Sequence, residues 1–433
     1  MTRRVRLGCA VLAMLAVGLA GKVAAQEIEK RTGVWAQDYV EGRPPDPAVR
    51  FGRLENGMRY AIRRNATPVG HTALRMWIGA GSLDEAEDQR GLAHFLEHLA
   101  FRGSARVPAG EMVKVLQRLG LAFGADTNAR TGFESTVYQF DVPKSDAEAL
   151  GTGVMLLREI ASALTLEQSE MDAERGVVLS EERSRDGPGF RQTAAELGFR
   201  FEGQVAARRM PIGSTEVIRT APVSRVRAFY EAHYRPDNAA VVAVGDFDVD
   251  AMEVMIRESF AGWAAKAGAR PVFAPGPVLR RGGTARLLEE PGMPASVSLT
   301  WVGALDRAAD TKARARRDWV DALAVAVLNR RLERLAEGDE PPFLTGGAGR
   351  SSALRSGRIM QLRVQPRGGA WQPALRAAVR EQRVLAAFGG RAEEIDRAKV
   401  ELLRGMRVAA GGEATRASSR IADGIVRDRK STR

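Results

Sequence analysis

His94-Phe95-Leu96-Glu97-His98 is the stretch on which the reading of this 433-residue chain turns. It lies inside Gly91 to Phe101, where Leu92, Phe95, Leu96 and Leu99 recur at helical spacing and Gly103 supplies a stop. Residues four apart on a helix share a face, so the two imidazoles can point at one ion. Glu97 stands beside that face, close enough to reach a metal-bound water without being a ligand. Two neutral nitrogen donors, a carboxylate base and an open coordination position suit metal-assisted hydrolysis. A three-ligand site needs one more donor. The helical stretch Leu166 to Asp186 offers Glu174 and Glu181, seven apart and therefore on one face. They flank an apolar run, Val177-Val178-Leu179, and a carboxylate set in such a face requires a partner.

Working outward, Arg59 to Arg63 and Ala73 to Ile78 alternate as strands do, and Gly79 to Ser82 reads as a turn. Met112 to Leu119 reads as a helix and Ser135 to Val142 as a strand ending at Pro143. Helices are expected over 147–163 and 166–186, with Thr165 and Gln168 at the spacing of a capping box. Asn238 to Val244 reads as a buried strand. Residues 264–284, rich in Ala, Pro and Gly, read as a linker. Beyond it come a strand at 296–301, a helix at 315–336, a strand at 359–364 and helices at 372–388 and 393–408. The pattern predicts an α+β fold of two related domains, each a mostly antiparallel sheet with helices packed on one face. The first is expected over 51–263 and the second over 285–433. The second is expected to be curtailed, with no late apolar strand and a polar tail at 427–433.

Composition narrows the chemistry. The chain is 45% hydrophobic and 27% charged, as soluble globular proteins are. Its formal net charge is +12, but the arginines are scattered among acids, as in Glu181-Glu182-Arg183-Ser184-Arg185-Asp186, and form no basic block interleaved with aromatics. No nucleic-acid partner is expected. Residues 1–25 read as a signal peptide: Arg3, Arg4 and Arg6 precede an apolar stretch from Leu7 to Leu19, and Val23-Ala24-Ala25 supplies small residues before a cut ahead of Gln26. Residues 26–50 follow as a polar lead-in. A secreted or periplasmic protein with no stable membrane span after signal removal is expected. The single cysteine, Cys9, leaves with the signal. The mature chain then has no disulfide, thiol nucleophile or thiolate ligand, and its metal must be held by His and carboxylates. The remaining histidines are assigned no role: His71 reads as a turn residue and His233 as packing at a helix end. Gly346-Gly347-Ala348-Gly349 lacks the following Lys and Ser/Thr of a phosphate loop.

The run His94–His98 with Leu99-Ala100-Phe101-Arg102-Gly103 resembles the inverted-zincin peptidases of the pitrilysin/insulinase type. The resemblance continues through Asp126-Thr127-Asn128-Ala129-Arg130-Thr131, Thr136-Val137-Tyr138, Glu174 to Glu181 and Tyr234-Arg235-Pro236-Asp237-Asn238. It is strong over 51–265 and loose over 285–420. It implies a zinc endopeptidase acting on peptides or unfolded protein segments, with one Zn2+ per chain; the curtailed second domain leaves open the alternative of a non-catalytic partner subunit or peptide-binding module of the same fold that needs a second half for activity. By position it implies His94, His98 and Glu181 as zinc ligands, Glu97 as general base and Glu174 as a supporting acid. It implies Asn128 and Ala129 as a strand edge that pairs with the substrate backbone. Members of this family close two halves around the substrate. The resemblance therefore also implies a partner, either a second homologous subunit or a C-terminal half missing from this sequence.

Overall fold

The computed structural model describes residues 46–122, 124, 127–266, 268–279, 282–306 and 311–430. The expected signal peptide with Cys9, most of the lead-in and Asp126 lie outside the described residues. The described chain runs β1 (Arg50–Arg53), β2 (Arg59–Arg64), β3 (Thr72–Ile78), α1 (Leu92–Leu99), α2 (Glu111–Arg118), β4 (Thr127–Thr131) and β5 (Thr136–Val142). It continues with α3 (Ala147–Ser162), α4 (Gln168–Arg185), α5 (Pro188–Arg200), α6 (Thr215–Thr220), α7 (Val223–His233), β6 (Ala239–Gly245) and α8 (Val249–Phe260). Then come β7 (Val297–Gly303), α9 (Lys312–Ala336), β8 (Phe343–Ala353), β9 (Gly357–Pro366), α10 (Trp371–Phe388), α11 (Ala392–Gly411) and α12 (Ser418–Lys430).

Two compact units result. The first holds the described residues within 46–185, 209–274 and 415–430. Its sheet has the order β1-β2-β6-β3-β5-β4, antiparallel except where β2 runs parallel to β6. Period-two alternation sends Leu74, Met76 and Ile78 of β3, with Tyr138 and Phe140 of β5 and Val241 of β6, into the larger core. That core is closed by Phe95 of α1, Leu157 of α3, Val178 of α4, Phe229 of α7 and Ile256 of α8. The opposite face is also covered. Ala73, Trp77, Val137, Ala240 and Val242 pack against Ile421, Ala422 and Val426 of α12. Arg75, 1% exposed, projects to this side and pairs with Asp141 at 2.7 Å and Asp423 at 2.9 Å. The expectation of helices on one face is thereby corrected. An apolar spacing of four and five residues in a charged tail, Ile421 with Ile425 and Val426, is enough to seat a helix on the back of the sheet.

The second unit holds residues 186–208 and 275–414, so the division is not the contiguous one expected at 264–284. Its sheet is antiparallel with order β7-β9-β8. Leu328 and Leu332 of α9, with Ala374 and Ala378 of α10, pack on Phe343, Leu362 and Val364. The glycine-rich segment 346–349 lies within β8 rather than in a loop. The helix expected from Leu166 starts at Gln168, because Leu166 has φ 52° and cannot belong to a right-handed turn. The capping box between Thr165 and Gln168 does not form. The Gln168 side chain instead donates to Asp172 and accepts from the Val223 amide, both at 2.9 Å. Among the described residues, no helix is long and apolar enough to cross a membrane.

Candidate metal centre

Helix α1 starts abruptly. Gly91 precedes it at φ 98°, a conformation that costs a residue with a Cβ. A Cβ on Gly213 would fall 2.2 Å from the Gly91 Cα, so the two glycines let backbone lie directly on backbone at the helix start. Leu92, Phe95, Leu96 and Leu99 then bury the inner face, and His94, Glu97 and His98 are left on the flank toward α4 and β4. On α4, Met171, Glu174 and Val178 are buried in succession at spacings of three and four, and Glu181 continues the stripe one turn on.

This register brings the expected residues together. His98 Nε2 lies 3.3 Å and His94 Nε2 3.7 Å from Glu181 Oε2. The two imidazoles are edge-on, with centroids 4.9 Å apart. One donor atom from each of His94, His98 and Glu181 falls within 4.8 Å of the others. Donors around a tetrahedral zinc stand about 3.4 Å apart, given bonds of about 2.0–2.1 Å, so the spacing needs little adjustment.

The protonation chemistry also fits a cation. Burial, aided by the charges of His98 and Arg185, pushes His94 down to about 3, so it is neutral and its contact with Glu181 is not an ion pair. Burial pulls His98 down as well. The hydrogen bond to Glu174 and the charges of Glu97, Glu174 and Glu181 outweigh it, and the net shift is upward. The cause is geometric. His98 Nδ1 is 2.9 Å from Glu174 Oε1 while Nε2 faces Glu181, so both ring nitrogens point at carboxylates. A neutral imidazole has one N–H and satisfies only one of them. A divalent cation held by His98 Nε2 and Glu181 would resolve the conflict, leaving Nδ1–H free to donate to Glu174. Hydrogen bonding to His98, against the opposing effect of burial and with the help of Arg102, holds the Glu174 carboxyl below its ordinary range. Arg185, four residues on from Glu181, pairs with its other oxygen, Oε1.

Glu97 sits one turn from His94. Burial raises its carboxyl, and the Thr131 hydroxyl, donating to Oε2 at 2.5 Å, offsets part of that. Thr131 closes β4, the last strand in the order of its sheet. Asn128 and Ala129 lie on that same strand, Asn128 exposed and accepting from the Ala129 amide at 2.8 Å. Behind Glu97, the buried phenols Tyr138 and Tyr234 bond each other at 2.7 Å, and burial raises both well above the ordinary tyrosine value. His71 is not part of the site: its carbonyl accepts from Asp246 in a turn before β3. His233 is buried at the end of α7 against Phe229, centroids 4.5 Å apart.

Sequence reasoning assigned no role to Thr131, Arg102, Arg185 or Glu85. The first two fall inside quoted motifs, and the i, i+4 spacing of Glu181 and Arg185 was open to view. Glu85 gave no local signal.

Two family descriptions match this chain. "Insulinase (Peptidase family M16)" covers residues 60–186 and "Peptidase M16 inactive domain" covers residues 221–339. A probable zinc protease PqqL of Haemophilus influenzae is 35% identical over 216 residues, 50% of this chain and 23% of that protein. Its Escherichia coli namesake is 28% identical over 375 residues, 86% of this chain and 40% of that protein. The chain thus spans less than half of either relative. Among solved structures, the first half of the periplasmic protease PqqL from Escherichia coli aligns with a TM-score of 0.75 at 26% identity, covering 90% of this chain and 83% of that one.

Proposed function

Since this chain belongs to the insulinase family of peptidases, we propose that it is the metal-bearing part of a zinc endopeptidase that cleaves peptides or unfolded protein segments. The observation that carries this reading is the convergence of His94, His98 and Glu181 within 4.8 Å, with Glu97 one helical turn away. In this reading His94, His98 and Glu181 hold one zinc ion, which when bound supplies the Lewis acidity that brings a water's pKa toward neutrality.

The chain's own residues do the rest. Glu97 is the general base. Thr131 occupies its Oε2, so Oε1 is the atom that receives the proton and returns it to the leaving amine. Glu174, anchored by Arg102, keeps the His98 ring turned with Nε2 toward the ion. Asn128 and Ala129, on the terminal strand β4, offer backbone groups to an extended peptide, and the strand leads to Thr131 and hence to Glu97. Location in the periplasm, or outside the cell, is proposed from the basic and apolar pattern of residues 1–25. The periplasmic description of the Escherichia coli neighbour supports it.

Cleavage of a mixed peptide library by wild type and Glu97→Gln tests the reading. Wild-type turnover is expected to exceed that of Glu97→Gln by about 10²–10⁴-fold, at equal zinc content. Equal cleavage by both would remove Glu97 from the chemistry.

A second reading has its own support. The alignment covers 83% of a solved first half and only 43% of the intact Escherichia coli protease. The chain is then a zinc-binding half whose full activity requires a homologous partner half.

A further inference from the structure

Helix α1 carries His94, Glu97 and His98, yet its N-cap position is Gly91, which has no side chain to offer the first-turn amides. That helix start is buried, with Leu92 and Ala93 both 0% exposed, so water does not replace a cap. The group that does is distant in sequence from the metal motif. Glu85, itself 5% exposed, places Oε1 2.9 Å from the Ala93 amide and accepts its hydrogen bond.

Glu85 is in turn held from behind. Arg209, 3% exposed, donates from Nε and Nη2 to the Glu85 carbonyl at 3.3 and 3.2 Å, and from Nη2 to Glu87 at 3.0 Å. The carbonyl of Arg209 accepts from Ser82 Oγ at 2.6 Å. The segment that follows Arg209 reaches Gly213, the glycine stacked on Gly91, and Ser214 donates to the Arg90 carbonyl at 3.1 Å. The chain thus clasps the start of α1 from two sides, and Glu85 is the one side chain in this clasp that bonds an α1 amide.

Ala93 is the residue before His94. A helix eight residues long has few bonds of its own to fix its position along and about its axis. Releasing one anchored amide in its first turn lets that turn fray, and the first ligand lies there. The donor atoms of His94 and Glu181 come from different helices, so a shift of α1 changes their separation directly.

We propose that Glu85 is a positioning residue for the metal centre. It caps α1 in place of Gly91 and sets where His94 and Glu97 stand against Glu181. The role belongs to the acceptor oxygen at the reach of a glutamate side chain, not to negative charge as such. This rests on the zinc reading of the site given above.

Three variants test it: Glu85→Ala, Glu85→Gln and Glu85→Asp. Gln keeps the acceptor and its reach without the charge. Asp keeps the charge and shortens the reach. Zinc affinity is read by competition with a chelator, well below each variant's unfolding midpoint. Hydrogen exchange of the Ala93 amide is read in metal-free protein. Glu85→Ala and Glu85→Asp are expected to weaken zinc binding about 10–100-fold and to accelerate Ala93 exchange. Glu85→Gln is expected to stay within about threefold of wild type in both. Wild-type affinity in Glu85→Asp with weakened binding in Glu85→Gln would overturn the proposal in favour of a purely electrostatic role. Unchanged affinity in a folded Glu85→Ala would overturn it outright. If Glu85→Ala does not fold, the Asp and Gln pair decides. If wild type itself holds no zinc, the zinc reading fails and the exchange measurement alone decides the cap.

Discussion

Glu174 shows how much at this site depends on residues beyond the three candidate ligands. It is 5% exposed, places Oε1 2.9 Å from His98 Nδ1 and is paired with Arg102. Glu174→Ala should lower zinc affinity about 10–100-fold while leaving the helices in place, measured by chelator competition alongside circular dichroism. Glu85 makes a pH prediction. Burial raises its carboxyl from 4.5 to about 8, and the amides of Ala93 and Gly91 and the charge of Arg209 offset only part of that. Its proton is therefore bound more tightly in the folded state than in the unfolded one. The stability this contributes is complete below about 4.5 and is lost as pH rises through about 8. Urea midpoints of metal-free protein should fall across that window, and fall less in Glu85→Gln. The contrast between these two acids also marks what the sequence disclosed. Glu174 shares a helical face with Glu181 and could be picked out by spacing. Glu85 reaches α1 across one short 3-10 segment, Glu87–Gln89, and the turn that follows it, and no periodicity links it to the motif.

At the scale of elements, the helices and strands nearest the metal motif were legible because their periods are clean. The inward residues of β3 and the inner stripe of α1 follow the two-residue and 3.6-residue rhythms expected of them. Other features escaped, three of them for physical reasons visible in the structure. The capping box at Thr165 failed because Leu166 takes a left-handed conformation, which no local pattern announces. β8 was hidden by Gly346, Gly347 and Gly349, residues that weaken a strand and mark it as loop. α12 was hidden by its charge, since Arg420, Asp423 and Arg427 surround a narrow apolar face. That helix is tied to the sheet by Asp423, which accepts from the buried Arg75. Asp423→Ala should destabilise the first unit by about 1.5–3 kcal/mol in urea unfolding, because a bond to a buried charge is lost while Asp141 remains.

At the scale of the molecule, the first unit carries every residue of the candidate centre, from Glu85 to Glu181. The second unit contains a smaller sheet of its own, and the family description that calls a domain inactive covers residues 221–339, which fall partly in each unit. The proposed division of labour is that the first unit holds the metal and the base, while a homologous half supplies the rest of the substrate chamber. Adding such a half, as a fusion or a separate subunit, should raise peptide turnover without changing zinc content per site. While the choice of Glu181 over Glu174 as third candidate ligand came from the family resemblance, the fold class and the candidate pair His94 and His98 could be argued from local spacing. The return of α12 to the first unit could not, because it depends on a contact between residues more than three hundred positions apart. The most direct measurement is the zinc content of purified wild type and Glu181→Ala after dialysis, by elemental analysis. The expected result is about one zinc per wild-type chain and a clear deficit in Glu181→Ala. A wild-type chain without zinc, or a folded Glu181→Ala that retains the full complement, would contradict the three-ligand centre.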